Sequence, residues 1–233
     1  MRHSPRHERY IVTDATVLYY TSNRENETFE QRIREALVSV IGGHRKNALP
    51  VISVSQKPVD LGTNICVGDV GACYANEYRQ ILIGAEAAKT TWIISAEADC
   101  LYPPSYFMFD PPNGDLWRYN NVWILWRSPS YASGFRRKRN SEGGQIVRRE
   151  WLIERLHSVM DGLPKWHSPE FDWRSRVYRQ NEWQLFGRED HPIISIKSGL
   201  GMRATTQIQH DVEPAESLPF WGNADVLRSE MFG

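Results

Sequence analysis

The chain has 233 residues, 41% of them hydrophobic and 24% charged, enough to bury one α/β core or at most two small ones. Its 28 basic and 28 acidic residues cancel, which excludes global charge as a means of holding nucleic acid or a membrane surface. No apolar run approaches the roughly 20 residues of a membrane span.

Residues 1–12 are polar and basic, lack an apolar signal core and read as a frayed leader. A β-type run over 16–22 follows, then a polar loop, Asn23-Arg24-Glu25-Asn26-Glu27. Phe29, Ile33, Leu37 and Ile41 recur at helical spacing, and Gly42-Gly43 stops that helix. A second strand is expected at 50–55, a glycine-bearing loop at 61–71, a helix over 74–89 and a short buried strand at 92–96. Alternating strands and helices imply a mainly parallel sheet flanked by helices. Ligands of such sheets collect at the carboxyl ends of the strands, so the polar ends near Thr21, Gln56 and Glu97 are expected to share one crevice.

The second half is less regular. A strand is expected at 121–126, a basic loop at 131–144, a helix from Arg149 to about Met160 and a strand at 192–196. The tail from Pro214 reads as irregular, with Pro219-Phe220-Trp221-Gly222 packing back on the body. The three cysteines, Cys66, Cys73 and Cys100, show no metal-type spacing and suit free thiols in a reducing cytoplasm. A soluble cytoplasmic protein with no membrane partner is expected.

Glu97-Ala98-Asp99 directly follows the apolar strand. Two carboxylates two residues apart on extended chain share a face and repel unless a cation lies between them. A hard divalent ion, Mn²⁺ or Mg²⁺, fits oxygen donors and also bridges phosphate oxygens. Nearby strand ends offer donors for a nucleotide: Thr21, Asn23 and Arg24 after the first strand, Gln56 and Lys57 after the second. Arg79, on the helix before the acidic motif, has a guanidinium suited to a diphosphate or to a surface ion pair.

The stretch Ile93-Ile94-Ser95-Ala96-Glu97-Ala98-Asp99-Cys100-Leu101-Tyr102-Pro103-Pro104, with the helix preceding it, resembles the nucleotide-sugar half of GT-A glycosyltransferases. Its first acid is Glu where Asp is commoner. The resemblance covers residues 15–107 and implies one Rossmann-like domain, with 12–110 binding a nucleotide sugar such as a UDP-sugar and 111–233 forming an irregular acceptor-binding half. It further implies Asp99 as the main metal ligand and Glu97 facing the donor ribose or the metal. Glu142-Gly143-Gly144-Gln145 would line the acceptor side. Of the Glu189-Asp190 pair, Asp190 would be the general base of an inverting reaction. His210, with His191 as competitor, would complete the metal shell.

Arg136-Arg137-Lys138-Arg139 is the strongest charge cluster and reads either as a solvated loop or as a phosphate-backbone contact. Tyr19-Tyr20-Thr21-Ser22-Asn23-Arg24, Ser55-Gln56-Lys57-Pro58 and Asn76-Glu77-Tyr78-Arg79-Gln80 are similar to phage-encoded glycosyltransferases, some of which decorate hydroxymethylated bases in DNA. That likeness implies double-stranded DNA as partner, with the target base extruded. Three alternatives stand beside it: a glycosyltransferase acting on a surface glycan or lipid-linked sugar, a nucleotidyltransferase, and a non-catalytic nucleic-acid-binding module.

Overall fold

The structure, a computed structural model, describes residues 14–42, 49–126, 134–138, 141–168, 177–178, 182–197 and 208–233. The expected leader and Arg139 lie outside these residues.

The first half follows the expected alternation. Strand β1 (Ala15–Thr21) is buried along its whole length, as a strand covered on both faces must be. Helix α1 (Glu27–Gly42) buries Phe29, Ile33, Leu37 and Ile41, the stripe seen in the sequence. Strand β2 (Val51–Ser55) pairs parallel with β1. The segment expected as a loop at 61–71 contains β3 (Thr63–Cys66), which pairs parallel with β2. Asn64 anchors it, its Nδ2 donating to both Ser53 Oγ and Ser55 Oγ at 2.9 Å. Helix α2 (Tyr74–Ala87) covers β1 and β2 closely. Gly84 makes that approach possible, since a Cβ there would stand 2.1 Å from Leu18 Cδ1. Strand β4 (Trp92–Glu97) lies parallel on the other side of β1.

The second half is more ordered than its sequence suggested. After β5 (Cys100–Leu101) come β6 (Leu116–Tyr119), β7 (Val122–Trp126), β8 (Gly134–Lys138) and β9 (Gln145–Arg148), then helix α3 (Arg149–Met160). Strands β10 (Gln184–Phe186) and β11 (Ile193–Ile196), a small hairpin of β12 (Ser217–Leu218) and β13 (Gly222–Asn223), and helix α4 (Ala224–Phe232) complete it.

Two sheets organise these strands. The larger runs β10-β6-β9-β4-β1-β2-β3, with β9 antiparallel to both neighbours and the other pairs parallel. The smaller runs β5-β11-β7-β8. The fold is therefore α/β with a mainly parallel mixed sheet flanked by helices, as expected, but a second sheet occupies the half expected to be irregular. The basic segment forms β8 instead of a loop because Phe135 is fully buried while its neighbours Arg136 and Arg137 lie over the Trp126 and Trp123 rings. The tail departs from expectation too. Asn223 caps α4 by accepting from the Asp225 and Val226 amides, and Phe232 stacks on Phe29 of α1 at 4.8 Å. Trp221 does pack back, donating to the Pro192 carbonyl at 2.6 Å.

Candidate functional site

Strand order reverses between β1 and β4: β2 and β3 extend to one side of β1, and β4 starts the other. A crevice opens outside the carboxyl ends of parallel strands at such a point. Tyr20 and Glu97 face each other across it in register, and the Tyr20 hydroxyl donates to Glu97 Oε1 at 3.1 Å. The chain then turns through Ala98 and Asp99 into β5, so the acidic motif is also the junction between the two sheets.

Several contacts hold that turn. The Glu97 amide donates to the Tyr102 hydroxyl oxygen at 2.8 Å, and that hydroxyl donates to the Gly143 carbonyl at 2.7 Å. The Ile196 amide donates to the Asp99 carbonyl at 2.6 Å. Gly143 lies directly against Glu97, where a Cβ would stand 2.4 Å from the carboxyl carbon. Gly143 thus has a packing reason for its identity, and Gly144 packs beside Ile193, Tyr119 and Val122.

Glu97, Asp99 and Cys100 place ligand atoms within 4.8 Å of one another, the group of metal-type donors found among the described residues. Burial, then the charge of Asp99, push the Glu97 carboxyl up to about 7. Glu77 is raised in the same direction by burial and by the charges of Glu97, Glu142 and Asp99. Burial and the two carboxylates keep the Cys100 thiol protonated. The donor set therefore fits a hard cation held by Glu97 and Asp99 oxygens, with the thiol as a neighbour instead of a ligand. Lys197 already lies 3.5 Å from Asp99 Oδ2, and the charge of Lys138 also favours ionised Glu97.

Glu142 belongs to this centre. It accepts a hydrogen bond from the Tyr78 hydroxyl and pairs with Arg118 at 3.6 Å. Arg118 is buried, lying 4.2 Å from the Trp183 ring and 4.9 Å from that of Tyr178.

The expected donor contacts divide. Thr21, Asn23 and Gln56 do meet at the ends of β1 and β2, but their side chains serve the fold. Thr21 and Asn23 donate to Glu30, while Asn23 Oδ1 accepts from the Gln56 and Lys57 amides at 2.9 Å each. Asn23 adopts φ +50°, which Asn tolerates. Gln56 ties down the loop before α2 through Gly71 and Val70. Arg24 forms an exposed pair with Asp69, and Lys57 is exposed. Arg79 donates to the Lys165 and Pro164 carbonyls, fixing the loop after α3 instead of joining Asp99. It also lines a cavity of about 490 Å³ with His157, Asp161 and Leu163 that includes no residue of the acidic centre.

The expected base and histidine are not brought to the motif. Asp99 sits beside Ile196, whereas Glu189-Asp190 precede the other end of β11. Pro192 and Ile196 alone are four extended residues, roughly 13 Å, apart. Asp190 is exposed and bound through both oxygens by Arg188, which holds its carboxyl down to about 2; Glu189 lies 4.0 Å from Arg137. His210 is an exposed turn residue just past the bridge between Ile208 and Lys138. His191 binds Ser105 Oγ at 3.0 Å. Neither histidine joins the Glu97–Asp99–Cys100 group.

Sequence reasoning missed Tyr20, Glu77, Tyr102 and Lys197. Tyr20 and Lys197 had a usable signal, being polar groups at or just past strand ends. Tyr102 had none, because its role depends on a contact with Gly143, 41 residues away. Among the described residues, no helix is long and apolar enough to cross a membrane.

No family model matches the chain, and no curated protein sequence matches it. Among solved structures it is similar to the bifunctional IspDF from Campylobacter jejuni, at 9% identity over 73% of this chain and 52% of that one, with TM-score 0.41. It is also similar to TarS 1-349 from S. aureus in complex with UDP-GlcNAc, at 10% identity over 79% and 58%, TM-score 0.48. A third is HddC from Yersinia pseudotuberculosis, at 10% identity over 77% and 92%, TM-score 0.45. The chain spans little more than half the length of the first two. Likenesses this distant carry no argument about activity, and the α/β architecture stands on the chain's own strand order.

Proposed function

We propose that the chain is a glycosyltransferase that uses a nucleotide-sugar donor and a divalent cation. The observation that carries this reading is the Glu97–Asp99 pair at the point where strand order reverses between β1 and β4, with the Gly143 backbone packed against it. Mn²⁺ or Mg²⁺ held by Glu97 and Asp99 would act as a Lewis acid on the departing nucleoside diphosphate.

The protein's own groups supply the rest. Tyr20 bonds the Glu97 carboxylate, Tyr102 holds its backbone amide, and Gly143 packs against the carboxyl group. The nucleotide lies over the ends of β1 and β2, where Lys57 and Arg24 are exposed to meet it. Glu142 replaces Asp190 as the general base in this reading. It is part of the acidic centre and 38% exposed, whereas Asp190 lies beyond the other end of β11. Its carboxylate takes the proton of the attacking acceptor hydroxyl.

The loop after β1 speaks against a nucleotidyltransferase. It has no glycine from Ser22 to Asn26, and Asn23 consumes the Gln56 and Lys57 amides that could otherwise cradle phosphate. Arg136 and Arg137 are engaged with tryptophan faces, so the basic strand does not by itself favour DNA over a glycan. The test is a panel of nucleotide sugars with Mn²⁺, scored for nucleoside diphosphate against pyrophosphate, then repeated with hydroxymethylated and unmodified duplex DNA. Diphosphate release supports the reading. Pyrophosphate release, or no turnover of any donor, defeats it.

A further inference from the structure

The smaller sheet delivers a cation to the acidic centre that neither the motif nor the fold required. Lys197 directly follows β11. Its amide donates to the Leu125 carbonyl, and the preceding Ile196 amide donates to the Asp99 carbonyl. Two backbone bonds therefore fix where the Lys197 stem starts relative to Asp99. Its Nζ stands 3.5 Å from Asp99 Oδ2, a loose contact, and the side chain is 36% exposed. The ammonium thus contacts the carboxylate while part of the side chain is open to solvent.

Two other cations near the centre, among the described residues, are differently placed. Arg118 is buried between aromatic rings and paired with Glu142. Lys138 reaches Ser141 Oγ at 3.3 Å from the opposite end of the small sheet. An ammonium carries three donors on a flexible stem and suits a phosphate oxygen as a point charge.

We propose that Lys197 is the diphosphate-binding residue of this centre, resting on Asp99 when the site is empty and turning to a phosphate oxygen when an anion enters. This rests on the donor-site reading above and gives Lys197 the part expected of Arg79. It also assigns Asp99 two successive partners: the ammonium in the empty site, the divalent cation in the loaded one. Lys197 then moves with the charge it neutralises, and the centre keeps some affinity for diphosphates without metal.

The test is calorimetric titration of the full chain with inorganic pyrophosphate, once in EDTA and once with Mg²⁺. Wild type, Lys197→Met, Lys197→Arg and Asp99→Asn are compared, with thermal melts of each. The expected result is that wild type binds pyrophosphate in EDTA and that Lys197→Met weakens this by about tenfold or more, the scale of one charge-assisted hydrogen bond. Lys197→Arg should stay within about threefold of wild type. Asp99→Asn should bind more tightly in EDTA, because a repelling carboxylate is gone and the ammonium is free, and more weakly than wild type in Mg²⁺. Pyrophosphate binding by Lys197→Met equal to wild type, or no binding by wild type in EDTA, overturns the inference. If Lys197→Met does not fold, the Asp99→Asn comparison decides, since unchanged or weaker binding in EDTA also overturns it. The readout needs no sugar transfer, so an inactive donor panel would sink the proposed function and leave this result standing.

Discussion

Replacing Glu97 by Gln should stabilise the cation-free protein at alkaline pH and leave it unchanged at pH 4.5. The Glu97 carboxyl is pushed from an ordinary 4.5 up to about 7, by burial and then by Asp99. Between those values the native chain holds a proton that the unfolded chain has released. Stability is then fully present below 4.5 and falls as pH rises toward 7. At ~1.4 kcal/mol per pH unit the gap is worth about 3 kcal/mol, reduced to about 2 by the carboxylate's contact with solvent. Gln keeps an oxygen for the Tyr20 hydroxyl and carries no charge to desolvate. Glu77, raised in the same direction, leaves some slope in the variant. Thermal melts in EDTA from pH 4.5 to 8 should show wild type losing stability and Glu97→Gln losing less. At pH 8 the two should differ by roughly 5 °C for a chain of this length. Mn²⁺ should restore wild type far more than the variant, because a ligand of the native state stabilises in proportion to its binding. A wild-type profile flat across this range, or a variant less stable than wild type at pH 8, refutes the argument.

Gly143→Ala should lower kcat/KM by about tenfold or more, since its Cβ would displace the Glu97 carboxylate from 2.4 Å; steady-state kinetics with the best donor checks it. Gly84→Ala should destabilise by about 1–3 kcal/mol through overpacking against Leu18, measured by urea unfolding, with nucleotide binding per folded molecule unchanged. Asp190→Asn should leave kcat within about threefold of wild type, while Glu142→Gln should lower it by about 100-fold or more; the reverse order would return the base to Asp190.

The parts of the fold legible in the sequence were those whose signal is local. The stripe Phe29, Ile33, Leu37, Ile41 fixes the buried face of α1, and the apolar run Trp92-Ile93-Ile94 that opens β4 requires cover on both faces. The acidic motif could be placed because it follows a strand end without a gap. The smaller sheet was opaque for the opposite reason. In β8 only Phe135 is buried, and the strand exists because Trp123 and Trp126 on the adjacent strand offer faces to two arginines. A run of basic residues alone gives no hint of that pairing. The same holds for the site: the order of Asp190 and His210 along the chain matched expectation, but β11 carries Asp190 away from Asp99 while delivering Lys197 to it. Chain order cannot reveal which end of a strand faces a crevice, because that depends on the neighbours it pairs with.

The most direct measurement is Mn²⁺-dependent release of nucleoside diphosphate from nucleotide sugars by wild type and by Asp99→Asn, with Mn²⁺ binding followed on the same samples by electron paramagnetic resonance. The account predicts that wild type binds the ion and turns over at least one donor, that EDTA stops it, and that Asp99→Asn remains folded but loses both. Turnover by Asp99→Asn at the wild-type rate, or full wild-type activity in EDTA, would contradict it.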